Sequence, residues 1–566
     1  MKRPQNLVYA LDEAPPPLVT VLNGVQHAGL IAINLVYPLL IFRLAGLPTT
    51  VVAELLAMGL IVLGIATVLQ ARRMGPLGTG FMCPATFTAA YFTPSLLAVK
   101  AGGLPLLFGM TLFAGLLEVA LAGALNRLRA IFPTEVSGLV IFMIGITAGI
   151  AGLRTMLGVQ AETVSTGEWW VASVTLGTMI AFNVWGKGVA KMLCALIGLI
   201  VGYVVAAAAG LLSVAQLAAV WDVSWVAFPR FVNTSWSFDA GLVASFAVVS
   251  LAVAMKAAGT ITICQRMNDA DWVRPDMRSV TRGVLTDGVA TMIAGVMGGT
   301  GTNTSTPSVG LASATGVASR RVAYAVGGIF LLLGFMPKLA ALLAIMPRSV
   351  MVAALIFTVC FIIINGLQVM SSRLLDVRRT VVIGLAIIAG VAIEAFPVIA
   401  TSAPRALLPV VSSALVFSTL IALALNLLFR LGMRRTVRLE IGRDAIDTRT
   451  IEDFLHAHGA TWGARPDVIT RAIFGVNQLV EAVAENWWRG GPLVLEVSFD
   501  EFNLDVRLAY EGEPLEFPDR RPTEHEIIES EDGARRLAGF MLRHNADRIR
   551  SEAKSGRAQV LFHFDH

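Results

Sequence analysis

Lys256 stands alone in an otherwise apolar run, Ala254-Met255-Lys256-Ala257-Ala258-Gly259. A lysine at the centre of a membrane helix costs about 2.5–3.5 kcal/mol on insertion scales, so it must face a cavity, an acid or a ligand. Two acids in other apolar runs, Asp287 and Glu118, are candidate ion-pair partners. The other chemistry open to Lys256 is contact between its ammonium and an anionic or carbonyl-rich ligand, or carriage of a proton by the lysine itself. Asp287 follows Arg282 at the start of its run. At a helix start it is a carboxylate that stabilises the N-terminus by about 0.3–1 kcal/mol. His27, after Gln26 on an apolar helix, reads as a core histidine. Residues 298–320, GGTGTNTSTPSVGLASATGVASR, are rich in Gly, Ser and Thr, contain Pro307 and carry no acid.

The elements that must hold these groups are membrane segments. The 566 residues are 55% hydrophobic and 15% charged, with 52 glycines and a mean hydropathy of +0.71; an ordinary soluble domain carries about 25% charge. A net charge of +5 arises from basic residues in short loops and does not argue for nucleic acid. About 14 apolar segments lie near 18–42, 51–69, 79–96, 104–125, 136–156, 170–186, 190–212, 241–262, 284–298, 303–318, 322–345, 350–370, 379–397 and 405–430. Each is measured against the roughly 20 residues of one crossing. The third, ninth and tenth are short or broken by Gly and Pro. Open backbone is tolerated at membrane depth only against protein or a wet cavity, and paired broken segments mark a carrier's binding site. Gly78-Thr79-Gly80 before Cys83-Pro84-Ala85-Thr86 echoes Gly299-Thr300-Gly301 before Thr306-Pro307-Ser308, each in the third segment of a seven-segment half. Phe81 and Thr86 are placed to stack on and hydrogen-bond a flat ligand, or to pack.

Alternate loops are rich in basic residues (Arg72, Arg73, Lys187, Lys191, Arg282, Arg320, Arg321) and poor in them (Arg43, Lys100, Arg154, Arg230, Arg348). The positive-inside rule then places both termini in the cytoplasm. Residues 1–17 read as a polar tail without a cleavable signal. Cys83, Cys194, Cys264 and Cys360 read as small buried hydrophobes, and Trp221, Trp225 and Trp236 as interfacial anchors. Arg430, Arg434, Arg435 and Arg438 read as the anchor of the last helix end. From about residue 436 the charge density rises. Helices over 472–487 and 533–550 and strands over 493–499, 504–509 and 558–564 predict a cytoplasmic α/β domain.

Gln26-His27, Arg282 with Asp287-Gly288, Pro307-Ser308-Val309-Gly310 and Thr315-Gly316-Val317-Ala318-Ser319-Arg320 resemble the nucleobase–ascorbate transporter family over residues 15–430. Its signature runs Gln, Glu or Pro, then Asn, any residue, Gly, four residues, Thr, and Arg, Lys or Gly. The resemblance implies an all-α polytopic fold in a seven-plus-seven inverted repeat. A core (segments 1–4 and 8–11) and a gate (5–7 and 12–14) would move as an elevator within a homodimer. It implies a purine-type nucleobase held by short strands in segments 3 and 10, with proton or sodium coupling. Substrate contacts fall on Lys256, Pro307, Ser308, Gly310, Phe81, Thr86 and His27, ion coupling on Asp287 and Lys256, and support on Gln26, Thr315 and Arg320. Ser308 stands where the signature has Asn, and Lys256 where the family has its eighth-segment glutamate. Gln478-Leu479-Val480-Glu481, Glu511-Gly512-Glu513-Pro514 and residues 533–547 resemble the histidine-kinase-type ATPase fold of anti-sigma kinases. Ala482 and Tyr510 take the positions of its metal-binding Asn and adenine-binding Asp, which implies a degenerate regulatory domain.

The sequence therefore reads as an inner-membrane secondary transporter of xanthine or urate before uracil, without a cofactor. The alternatives are an anion transporter of sulfate-permease architecture and a nucleobase sensor signalling through the tail. An enzyme is disfavoured, because no metal cluster, nucleophile triad or phosphate loop is present.

Overall fold

The computed structural model describes residues 2–5, 7–125, 133–157, 165–232, 235–272, 275–371, 377–396, 398–401, 411, 413–430, 435–442, 448–462, 464, 466–486, 488–499, 503–518, 520–521, 533–543, 546–554 and 557–565. Of the positions discussed above, Arg434 and residues 405–410 of the last apolar segment lie outside them. The chain divides into two compact units, Met1–Asn426 and Leu427–His566.

The first unit is helical. Its long elements are α1 (Pro17–Ala32), α2 (Val36–Leu44), α3 (Thr49–Ala71), α4 (Phe92–Ala122), α5 (Thr134–Leu157), α6 (Thr166–Val184), α7 (Cys194–Ala208), α8 (Ala240–Asn268) and α9 (Met277–Met297). After these come α10 (Thr306–Thr315), α11 (Arg320–Gly334), α12 (Pro337–Ala344), α13 (Arg348–Met370), α14 (Val377–Ala395) and α15 (Ala414–Arg430). Two three-residue strands, β1 (Ala85–Phe87) and β2 (Thr302–Thr304), interrupt the helices. Among the described residues six helical stretches are long and apolar enough to cross a membrane, or seven if α11 and α12, bent by 79°, make one span. The other expected segments are shorter or carry charge, as α9 does with Arg278, Arg282 and Asp287.

Glycine sets how closely these helices meet. A Cβ on Gly115 of α4 would lie 2.5 Å from the Met292 amide and 2.6 Å from the Gly288 carbonyl of α9. Such backbone-to-backbone approach is what small residues permit in membrane helices. Gly64 of α3 meets α11 in the same way, 2.6 Å from Leu331 Cγ and 2.9 Å from the Gly327 carbonyl.

Two sequence readings change, those of Cys360 and of the N-terminal tail. Cys360 is exposed while the other three cysteines are buried, because it shares the outward face of α13 with Phe361, Ile364 and Leu367. Trp221 and Trp225 hold the Lys338 ammonium over their rings, 5.0 and 4.3 Å from the centroids, and Trp236 Nε1 donates to the Gly295 carbonyl at 3.0 Å. The expected N-terminal tail is folded over residues 2–5 and 7–13. Its backbone pairs with the end of α10: the amides of Val8 and Tyr9 donate to Gly316 O at 2.8 and 3.0 Å, and those of Ala318 and Arg320 donate to Tyr9 O and Leu11 O at 2.9 and 3.0 Å. Leu7 and Leu11 are buried beneath it.

The second unit is α/β. An antiparallel sheet of order β3-β4-β5-β7-β6 comprises β3 (Arg435–Ile441), β4 (Trp488–Phe499), β5 (Asn503–Gly512), β6 (Arg548–Lys554) and β7 (Arg557–Asp565), with helices α16 (Thr448–Trp462), α17 (Pro466–Asn486) and α18 (Gly533–Arg543). Leu504, Val506, Leu508 and Tyr510 alternate inward along β5. They meet Val468, Ala472, Val476, Leu479 and Val483 from one face of α17, the two periodicities of a strand and a helix. Two boundaries correct the sequence reading. The helix expected over 533–550 ends at Arg543, and residues 548–554 form β6, paired antiparallel to β7. Arg435 and Arg438 belong to β3 rather than to a helix end.

Candidate functional site

Glycine creates the break in each half. Gly78 and Gly80 have φ of +81° and +76°, and a Cβ on Gly78 would collide with Arg72 O at 1.6 Å. The triplet is tied down by the Gly78 amide, which donates to Thr286 Oγ1 at 2.7 Å, and by Thr79 Oγ1, which donates to Gln70 O at 3.0 Å. In the second half Gly298, φ +89°, ends α9, and Gly301 lies under the Tyr91 ring, where a Cβ would be 2.0 Å from Cδ2.

The freed backbone then pairs across the two halves. β1 and β2 are antiparallel, with Ala85 opposite Thr304, Thr86 opposite Asn303 and Phe87 opposite Thr302. The Ser305 amide extends the pairing to Pro84 O at 2.8 Å. Each strand runs directly into a helix start. Thr88 accepts from the Ala90 amide at 3.3 Å on one side, and Ser305 caps α10 by accepting from the Ser308 amide at 3.4 Å on the other, with Pro307 in the first turn. Helix N-termini present unpaired N–H groups and a positive dipole end.

Lys256 lies beside this junction. On its helix face, Val253 O accepts from Asn303 Nδ2 at 3.0 Å and Thr260 Oγ1 meets Thr306 Oγ1 at 2.8 Å. These residues are three before and four after Lys256, so the three share one side of α8. Lys256 is half-buried. Among the described residues no carboxylate is within 4.0 Å of its ammonium, while Asp287 acts on it through space. Asp287 is 1% exposed; its Oδ2 accepts from the Thr304 amide at 3.3 Å, and its Oδ1 has no partner. Thr86 Oγ1 accepts from Asn34 Nδ2 at 2.7 Å. Ser308 is buried, its Oγ accepting from Ser305 Oγ at 3.0 Å. Pro307 and Gly310 are exposed, and a Cβ on Gly310 or on Gly259 of α8 would meet nothing within 4 Å. The exposed face at Gly259, Pro307 and Gly310 therefore lies on the same elements as a cation and a helix start.

Other expected site residues lie elsewhere or are otherwise occupied. Phe81 is fully buried in a cluster with Leu11, Cys83, Cys264 and Val309, so its ring is spent on packing. His27 is fully buried on α1 with both ring nitrogens unpartnered; Gln26 beside it is half-buried. Thr315 donates back to Leu311 O at 3.0 Å within α10. Arg320 pairs with Asp12 at 2.5 Å, on the N-terminal segment. Sequence reasoning missed Asn303, although Thr302-Asn303-Thr304 stands directly before the proline-led turn.

A model of the family described as "Permease family", for xanthine/uracil permeases, matches residues 19–399. The chain is similar to "Putative purine permease CPE0397" of Clostridium perfringens, 28% identical over 74% of this chain and 92% of that protein. It is also similar to "Xanthine permease XanP" of Escherichia coli K12, 25% identical over 75% of this chain and 94% of that protein. Among solved structures it resembles the murine anion transporter Slc26a9 in the inward-facing state in fold alone, with a TM-score of 0.50, 10% identity, and coverage of 78% and 73% of the two chains.

Proposed function

The chain belongs to that Permease family, and from this premise we propose that it is a secondary active transporter of a purine-type nucleobase, xanthine or urate before uracil. The observation that carries the reading is the β1–β2 junction, where two broken segments meet with Lys256 alongside. The purine sits against Pro307, Ser308 and Gly310, its edge facing the backbone of the two strands and its carbonyl or anionic oxygens facing the Lys256 ammonium. A serine at position 308 removes an amide that would read a base edge; a lysine at 256 replaces an acceptor by a donor. Both changes favour an oxygen-rich, anionic purine over a neutral base. Asp287 and Lys256 carry the coupling charge. Gln26 and His27 brace the site from α1.

The protein works as a homodimer in the inner membrane with both termini cytoplasmic, and segments 1–4 and 8–11 move as a core against a gate of segments 5–7 and 12–14. Residues 436–566 form a regulatory domain of degenerate ATPase type. Ala482 offers no oxygen to a magnesium ion, and Tyr510, buried and donating to Glu513 O at 2.8 Å, occupies the adenine-reading position.

Uptake of labelled xanthine, urate and uracil into proteoliposomes, beside sulfate and bicarbonate, tests this. Saturable purine uptake is expected. Sulfate or bicarbonate uptake without purine uptake would favour an anion carrier. Tight purine binding without flux, with a cellular response lost on deleting residues 436–566, would favour a sensor.

A further inference from the structure

Glu118 lies on α4 away from the strands, and its surroundings are unusual. It is fully buried, and among the described residues neither carboxyl oxygen has a hydrogen-bond partner. It sits three residues beyond Gly115, on the side of α4 that touches α9 backbone to backbone, and Asp287 immediately precedes Gly288, the glycine at that contact. Asp287 acts on Glu118 through space, and its Oδ1 is a third oxygen there without a partner among the described residues. An ionised carboxylate stripped of water and of donors is not tolerated in a protein interior. One of the pair must therefore hold a proton, for which the other is an acceptor.

The charged and ionisable groups on neighbouring elements are accounted for. Lys256 of α8 acts on Asp287, and Tyr91, preceding α4, shares its hydroxyl with Ser250 at 3.3 Å. Cys83, before β1, senses Asp287. Glu135 of α5 is paired with Arg379 at 2.9 Å, and Arg43 of α2 donates to Met346 O at 3.3 Å. None of these supplies a donor to Glu118. A hard metal cation would need about six or more oxygen ligands, whereas the bordering hydroxyls are committed: Ser250 donates to Phe246 O and Ala114 O at 2.8 and 3.2 Å, and Thr291 engages Thr302 at 3.2–3.3 Å.

We propose that Glu118 and Asp287 form the proton-carrying pair of this transporter, holding one proton between them and exchanging it with water once per transport cycle. In the protonated state the O–H bond is on a Glu118 oxygen. On release, that proton passes to water and leaves both groups ionised, with Lys256 as the nearby counter-charge. This rests on the carrier reading above and adds the proton site that the lysine at position 256 does not supply.

The test compares wild type, Glu118→Gln and Glu118→Asp in proteoliposomes under an inward proton gradient or an inward sodium gradient. For one proton per purine, each unit of pH gradient drives about tenfold accumulation. Wild type is expected to accumulate purine with pH and not with sodium. Glu118→Gln, which mimics the protonated acid in shape, falls to about onefold, and Glu118→Asp keeps part of the response. Undiminished accumulation by Glu118→Gln, or drive by sodium alone, overturns the proposal. Infrared difference spectroscopy of the purified protein on changing pH provides a readout that needs no transport. A carboxylic-acid C=O band present in wild type and lost in Glu118→Gln supports the pair even if purine is not the cargo; a band unchanged in that variant refutes it.

Discussion

The electrostatic link between Lys256 and Asp287 gives a prediction whose size follows from the structure. The two charges are more than 4.0 Å apart, one half-buried and the other buried. At 4 Å two unit charges attract by about 1 kcal/mol in water and about 4 kcal/mol at the effective dielectric of a protein surface, so at their greater separation the coupling lies below about 4 kcal/mol. Lys256→Met removes the cation while keeping an unbranched stem. Asp287→Asn removes the anion while keeping an oxygen for the Thr304 amide, whose bond at 3.3 Å would otherwise be lost as well. Each single variant leaves one charge without its counter-charge; the double variant leaves neither. Unfolding free energies from denaturant titrations in micelles, read by tryptophan fluorescence, should show the double variant less destabilised than the sum of the singles, by more than about 0.5 and less than about 4 kcal/mol. Additivity to within about 0.5 kcal/mol would mean that the two charges do not sense each other, and the electrostatic account of the junction would fail.

Four further outcomes are expected. Gly64→Val drives a side chain into Leu331 and the Gly327 carbonyl; overpacking of this kind costs about 1–3 kcal/mol and should lower the thermal midpoint, whereas the same change at the open Gly310 should leave it in place. The N-terminal segment is held by backbone bonds and by Leu7 and Leu11. Arg320→Ala, which removes a largely exposed ion pair worth about 0–1 kcal/mol, should leave residues 2–13 protected from limited proteolysis, while Leu7→Ala with Leu11→Ala, at about 2–5 kcal/mol for each buried leucine, should expose them. In the same segment the Lys2 amide holds the exposed Asp269 carboxyl below its ordinary range. That contact persists above the carboxylate range and is lost as pH falls through the lowered value, an acid sensitivity that Asp269→Asn should abolish. Magnesium-ATP should leave the melting of the full chain unchanged; a stabilising shift would show that the tail binds nucleotide despite Ala482.

Much of the fold was legible because it is written in long, redundant patterns. Apolar runs report helices, and the Gly-, Ser- and Thr-rich stretch at 298–320 reports the break, with Ser305 and Pro307 in the positions a helix start uses. The pairing of Thr86 with Asn303 was not legible, since three-residue strands are too short to show a period and their partners are distant in the chain. Asn303 was missed for that reason, and Phe81 reads equally as a stacking or a packing residue because a buried aromatic and a binding aromatic look alike without neighbours. The N-terminal segment read as a polar tail because its bonds to 316–320 are made by backbone atoms, which leave no trace in side-chain type beyond Leu7 and Leu11. β6 read as helix because its short charged stretch, Arg548–Lys554, shows no clear two-residue apolar period.

The central claim is that the Lys256 ammonium faces the cargo of a purine carrier. Its most direct test is the ratio of urate or xanthine uptake to uracil uptake in proteoliposomes containing wild type or Lys256→Glu. The account predicts that wild type prefers the oxygen-rich purine and that Lys256→Glu shifts the preference toward neutral uracil. An unchanged ratio, with both proteins transporting, would contradict it.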